Sequence, residues 1–380
     1  MPCRDEGSIR LQIVRGVCQH SNYYKESVYS NTSINHLNKM KSLFLAGFIF
    51  FYSPLAIGQD ANRSLPIIDM HLHALPADFL GPPPLAFCLP SVQWPAKEWG
   101  TPYSETFMRW EKDPKSVDPN CDDPIWSPTK HEEIMRKTLE IMERRNVIGV
   151  TSGPLVQAYK QANPDRIIKG LMFNLAYNAT PIDSLRLWFT REDYQVFGEV
   201  TNQYAGIKPD DERFEPYVSL AEELDIPIGI HIGPGPPGVA YINSPHYRAS
   251  LHDPLLLEEV LFKHPDLRLY ICHAGWPMID NLLALMYTHP QVYVDLGVIS
   301  FAIPPPEFHR YLKRIVEAGF GNRVMFGSDQ MVWPEALEIA IETIEKAEYL
   351  SEKQKRDIFY NNAARFLKLN EEEIAKHHGK

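Results

Sequence analysis

Eight short runs of this chain are apolar almost without a break: PIIDMHLHA, NVIGVTSG, RIIKGLMFN, QVFGEVT, IPIGIHIG, LRLYICHAG, VYVDLGVIS and RVMFGSDQ. A strand with one face in water alternates apolar and polar residues. These runs do not, so each reads as a strand buried on both faces. Helical patterns separate most of them. TKHEEIMRKTLEIMERR repeats apolar residues at i, i+3, i+4 and i+7, and FEPYVSLAEELD, PLLLEEVLFKHP, MIDNLLALMYTHP, PEFHRYLKRIVEAG and PEALEIAIETIEKAEYL do likewise. Buried strands joined by helices imply a parallel sheet of the α/β class. Eight such units in about 300 residues suit a (β/α)8 TIM barrel better than an open doubly wound sheet. SEKQKRDIFYNNAARFLKL reads as an additional C-terminal helix packed on the outside. Residues 75–130, rich in Pro and Trp, lack clear periodicity and read as a long first βα loop over part of the barrel mouth.

The barrel does not begin at residue 1. KMKSLFLAGFIFFYSPLAIGQD carries Lys39 and Lys41, an apolar run from Leu43 to Tyr52, and a small-x-small exit at Ala56-Ile57-Gly58. That is the pattern of a secretory signal peptide, and the run is shorter than the ~20 apolar residues needed to span a bilayer. The expected organisation is an over-extended start at 1–39 with translation from Met40, a signal peptide at 40–58, and one barrel domain at 59–380 whose mature end lies near Gln59. No cysteine stands at the cleavage site, so a lipid anchor is not indicated, and the protein is expected to be periplasmic or secreted. Three cysteines remain in the mature chain. Cys88 and Cys121 share the Pro-rich loop and are either a disulfide or two independent buried thiols; Cys272, inside an apolar run, reads as core. The formal net charge of −10 argues against nucleic acid or an anionic membrane as partner and leaves a small-molecule substrate; a homodimer stays open.

Polar residues fall where this fold places its active site, at the C-terminal ends of the strands. His71 and His73 close the first run, Glu199 the fourth, His231 the fifth, His273 the sixth and Asp329 the eighth. In a strand, residues i and i+2 share a face, so His71 and His73 point the same way. Burying these groups unpaired costs roughly several kcal/mol for each charge. A divalent cation offsets that cost; the alternative is a purely structural polar cluster.

DMHLHA, GEVTNQYAGI, GIHIGPG, ICHAGWP, FGSDQ and IFYNNAARFLKL together resemble the amidohydrolase superfamily over residues 64 to 370. The likeness is strongest to its branch of TIM-barrel metal-dependent hydrolases, which also contains aminocarboxymuconate-semialdehyde decarboxylase and pyrone-dicarboxylate lactonase. The resemblance implies one metal held by His71, His73, His231 and Asp329, with His273 as acid/base or as ligand of a second ion. Glu199 occupies the position that in binuclear relatives bridges two metals, or else it supports a histidine from behind. Imidazoles and carboxylates suit Zn2+, and Mn2+ or Fe2+ less well. Zinc with an open position lowers the pKa of water from ~15.7 to ~7. Asp329 would then move the water's proton and His273 polarise the carbonyl, hydrolysing an amide, lactone or ester. Without water attack, and with His273 protonating a ring carbon, the same set would decarboxylate an aromatic or muconate-type acid.

Substrate contacts are expected from the loop after the fifth strand, which carries His246, Arg248 and His252. Arg248 is either a carboxylate clamp or a solvated loop residue. Trp94, Trp99 and Trp126 either stack on a planar ring or pack the lid, and Trp333, just after Asp329, is placed to wall the pocket.

Overall fold

A computed structural model describes residues 64–89, 91 and 93–379 of the chain. The expected leader at 40–58, the start at Met40 and the mature end near Gln59 lie outside the described residues. The eight apolar runs form one parallel sheet in sequence order: β1 (Ile67–His73), β2 (Val147–Ser152), β3 (Ile167–Phe173), β4 (Tyr194–Val200), β5 (Ile228–His231), β6 (Leu269–Cys272), β7 (Val292–Asp295) and β8 (Val324–Met325). The ring closes between β8 and β1, where Met70 N donates to Phe326 O (2.9 Å), Asp329 N to His71 O and His73 N to Gln330 O (3.1 Å). Eight parallel strands with alternating helices are the TIM barrel that the runs predict.

The outer helices bury one face each, as their spacing requires. The helix His131–Arg144 buries Ile134, Thr138, Ile141 and Met142, and Pro305–Ile315 buries Phe308, Tyr311, Leu312 and Ile315. Each fully buried aliphatic or aromatic side chain contributes about 1.5–3 kcal/mol. PLLLEEVLFKHP supplies a shorter helix than its pattern suggests, Glu258–Lys263, after a 3-10 turn at Pro254–Leu257. Asp253 opens that turn by accepting the Leu255 N–H at 3.0 Å.

Inside the barrel, the Tyr270 ring lies across β5. A Cβ on Gly229 would stand 2.3 Å from its Cζ, so only glycine fits there. The C-terminal helical run 352–366 is not simply on the outside. Its Tyr360, Ala363, Ala364 and Phe366 join Ile68, Met70, Val150, Val196, Tyr270, Cys272 and Met325 in one buried cluster, so the run closes an end of the barrel. A further helix, Glu371–His377, follows.

The segment 75–130 is more ordered than its composition suggests. It contains a ten-residue helix, Tyr103–Lys112, that buries Tyr103, Phe107 and Trp110 at i, i+4 and i+7. Two-residue strands, Ala86–Phe87 and Ile125–Trp126, pair antiparallel, and a Cys88–Cys121 disulfide joins the residue after the first strand to the stretch before the second, Cα to Cα 5.7 Å. Phe87 packs on Trp110, Phe301 and Trp333, with ring centroids 6.0, 6.0 and 5.1 Å apart. Among the described residues, no helix is long and apolar enough to cross a membrane.

Candidate metal centre

β1 delivers its two histidines side by side: His71 Nε2 and His73 Nε2 lie 3.2 Å apart. The other ring nitrogen of His71 donates to Asp295 Oδ2 at 3.1 Å, which turns Nε2 toward His73. His73 Nδ1 meets Ser152 Oγ at 3.4 Å. Asp329 Oδ1 stands 3.0 Å from His73 Nε2 and 3.6 Å from His71 Nε2. Glu199 turns its two oxygens in different directions. Oε2 lies 3.7 Å from both β1 imidazoles, whereas Oε1 lies 2.5 Å from His231 Nδ1 and 3.2 Å from His273 Nε2. All six side chains are at least nine-tenths buried.

The backbone is bent to make this possible. His273 and Asp329 adopt positive φ of 63° and 53°, a region that non-glycine residues enter at a cost of about 1–3 kcal/mol. His273 N donates to Asp295 Oδ1 (3.0 Å) and its Nδ1 to Gly297 O (3.0 Å). Behind Asp329, Asp69 accepts Ser328 N (2.9 Å) and Ser328 Oγ (2.5 Å), clipping β8 to β1. Gly297 must be glycine, because a Cβ there would stand 2.8 Å from His71 Nδ1.

The electrostatics favour positive charge at the centre. Burial works against a charged His71, yet Asp329, with Asp295 and Glu199 among the further contributors, holds its pKa well above the usual imidazole range. Burial likewise opposes an ionised Glu199, but His231 and His71 hold it well below the carboxylate range. For His273, burial is outweighed by the Glu199 hydrogen bond and by Asp329, and the pKa rises. Burial and the nearby His273 push His231 down.

The donor set fits a divalent cation. His71, His73 and Glu199 offer ligand atoms within 4.8 Å of one another, as do His71, His273 and Asp329, and Glu199, His231 and His273. Two imidazole nitrogens at 3.2 Å with a lone pair between them need a proton or a cation, and the surrounding carboxylates supply the compensating charge. The grouping differs from the expected four-ligand set. His231 faces Glu199 and His273 rather than the β1 pair, and Glu199 spans the two halves.

Other expected contacts fall elsewhere. Arg248 is exposed, and its guanidinium donates to Pro245 O (2.8 Å) and Tyr247 O (2.7 Å); His246 is exposed too. Trp333 is buried and donates through Nε1 to Leu85 O (2.8 Å), anchoring the segment 75–130 to the end of β8. Trp99 is 91% exposed, Trp126 44% and Trp94 38%, with Trp94 edge-on to Trp110. Cys272, expected as core, is buried beside His71 and Asp295, and burial pushes its thiol well above the ordinary range, so it stays neutral. Three residues escaped the sequence reading. Asp295 was visible as an acid at the end of an apolar run, like the others. Asp69 and Tyr204 gave no separate signal; Tyr204 lies with its ring 4.9 Å from that of His231.

The profile of one protein family, described as Amidohydrolase, matches residues 68–369. A curated relative, Protein fluG of Emericella nidulans, is 20% identical over 161 residues, which is 38% of this chain and 18% of that protein, so the chain spans under a fifth of it. Among solved structures, an uncharacterized TIM-barrel protein from Bordetella bronchiseptica superposes with a TM-score of 0.54 at 16% identity, covering 83% of this chain and 100% of that one. A 5-carboxyvanillate decarboxylase from Sphingomonas paucimobilis gives 0.50 at 16% identity, covering 81% and 100%. At these identities the two superpositions speak to the fold alone.

Proposed function

The chain belongs to the amidohydrolase family, and on that premise we propose that it is an exported, metal-dependent hydrolase that cleaves an amide, lactone or ester bond of a small molecule with water. The observation that carries this reading is the 3.2 Å contact between His71 Nε2 and His73 Nε2, flanked by Asp329 and Glu199. When bound, a divalent cation, zinc ahead of manganese or iron for this donor set, supplies the Lewis acidity that makes water nucleophilic near neutral pH. His71, His73 and Asp329 form one side of its seat, and Glu199, His231 and His273 the other. The two oxygens of Glu199 point to different halves of the seat, so its carboxylate would help to hold a second ion if one binds. Asp329, fixed by its own N–H on His71 O, takes the proton of the attacking water and returns it to the leaving group. His273, held through Nδ1 by Gly297 O and raised in pKa, would offer Nε2–H to the oxyanion that develops on the carbonyl when one ion sits on the His71, His73 and Asp329 side, and would be a ligand only with a second ion. Export is supported by the signal pattern at 40–58 and by the Cys88–Cys121 disulfide, a bond that persists in oxidising compartments.

A protonated His273 would serve carbon protonation equally well, and this favours one second reading, decarboxylation of an aromatic or muconate-type acid. Assays of purified protein against lactone, ester, amide and aromatic-acid panels, with and without chelator, in 18O- and deuterium-labelled water, separate the two. Hydrolysis predicts 18O in the product. Carbon dioxide release with deuterium at the former carboxyl carbon and no 18O uptake would overturn it.

A further inference from the structure

His231 uses only one of its nitrogens toward the centre. Nδ1 faces Glu199 Oε1 (2.5 Å) and His273 Nε2 (2.9 Å), whereas Nε2 is buried with no partner. Two neighbours share this condition. Asn202, 4% exposed, leaves Nδ2 unpartnered, and Gln203, 3% exposed, leaves Oε1 unpartnered. The rest of each amide is tied down. Asn202 Oδ1 accepts Leu175 N (2.8 Å) and Gln203 Nε2 donates to Gly233 O (3.1 Å), so the remaining Asn202 atom is a donor and the remaining Gln203 atom an acceptor. All three residues line one cavity of about 10 Å³, whose other walls include Ile207, Phe214 and Ile230. Three residues that each carry an orphaned polar atom and line one largely apolar-walled space point to a ligand, because leaving each atom unsatisfied costs about 1–3 kcal/mol.

We propose that this cavity is the seat of one ordered water that joins Asn202, Gln203 and His231, and that Asn202 and Gln203 are positioning residues for the metal centre. About 10–15 Å³ of probe volume admits a single water, and buried waters make about three hydrogen bonds. With Nδ1–H of His231 donated to Glu199 Oε1 (2.5 Å), the water accepts from Asn202 Nδ2 and donates to both Gln203 Oε1 and His231 Nε2. With a cation on Nδ1 the same water would turn to accept Nε2–H, so it would support the ring from behind in either state, as Asp295 supports His71. The signal was present in GEVTNQYAGI, where two amides follow β4, but nothing in the sequence aligned them with His231.

The positioning role rests on the metal reading above; the water site itself does not. A crystal structure of the metal-free protein at high resolution should show one water within hydrogen-bonding distance of His231 Nε2, Gln203 Oε1 and Asn202 Nδ2. A dry cavity, or a water that misses His231 Nε2, overturns the proposal even if the protein binds metal. In the metal-loaded protein, Gln203→Met should weaken metal affinity about 10–100-fold by chelator competition, and the 15N signal of His231 Nε2 should move as its hydrogen bond to the water is lost. Unchanged affinity and unchanged His231 signals in a folded Gln203→Met variant would also overturn it. Failure of the wild-type protein to bind any metal would instead count against the metal reading alone.

Discussion

Asp295 holds His71 and His273 together: its Oδ2 accepts the Nδ1–H of His71 at 3.1 Å while its Oδ1 accepts the backbone N–H of His273 at 3.0 Å. One buried carboxylate thus sets the ring of a β1 histidine and the turn that carries the β6 histidine. Asp295→Ala should therefore weaken metal binding about 10–100-fold. Chelator competition on the folded variant measures this, and affinity within twofold of wild type would remove Asp295 from the account.

Asp329→Asn should lower turnover by ~10²–10⁴-fold through loss of the proton acceptor, with any loss of metal added to that. His273→Asn should cost ~10²–10³-fold if the side chain serves an oxyanion. Rates are compared at matched metal content. A larger loss in His273→Asn than in Asp329→Asn would favour carbon protonation over hydrolysis.

Much of this site could be read from the sequence because strand ends and metal-ligand chemistry coincide. His71, His73, Glu199, His231, His273 and Asp329 each follow an apolar run, and the parallel barrel brings equivalent ends to one mouth. Asp295 obeys the same rule in VYVDLG but passed as an ordinary strand end. What the sequence hid was pairwise geometry. It does not say that His231 turns toward Glu199, or that Arg248 spends its guanidinium on the carbonyls of its own loop. The helix Tyr103–Lys112 does not stand out in the sequence because Pro102 and Pro114 frame only eleven residues, too few for the period of Tyr103, Phe107 and Trp110 to show. The C-terminal run has an ordinary amphipathic pattern, and spacing alone does not reveal which surface receives its apolar face.

The Cys88–Cys121 bond closes a sequence separation of 33 residues, for which chain-entropy arguments give about 3–4 kcal/mol. The double variant Cys88→Ser/Cys121→Ser should lose up to that amount by urea denaturation, or show faster proteolysis within 75–130 if that segment opens on its own. Neither change would mean that Phe87 and Trp333 secure the segment without the bond.

Glu111, on the helix Tyr103–Lys112, is pushed by burial from 4.5 to about 7, with Lys112 opposing. A carboxyl whose folded pKa is raised favours folding while protonated. Its contribution is complete below the unfolded pKa and is lost as pH rises through about 7. The full shift corresponds to roughly 3 kcal/mol, and the partial exposure of the side chain reduces the expected effect to about 1–2 kcal/mol. Glu111→Gln should therefore stabilise the protein at pH 8 and leave it nearly unchanged at pH 4, as thermal melts at the two pH values would show. Equal effects at both would contradict the assignment.

Metal binding by the cluster around His71 and His73 decides the proposed function. Protein stripped with chelator and then titrated with Zn2+ and Mn2+, with bound metal counted by elemental analysis, should bind at least one ion per chain. His71→Ala should abolish tight binding, and Glu199→Gln should lower a stoichiometry of two to one if the carboxylate bridges. A folded wild-type protein that binds neither ion, or a His71→Ala variant that binds them as tightly as wild type, would contradict the central claim.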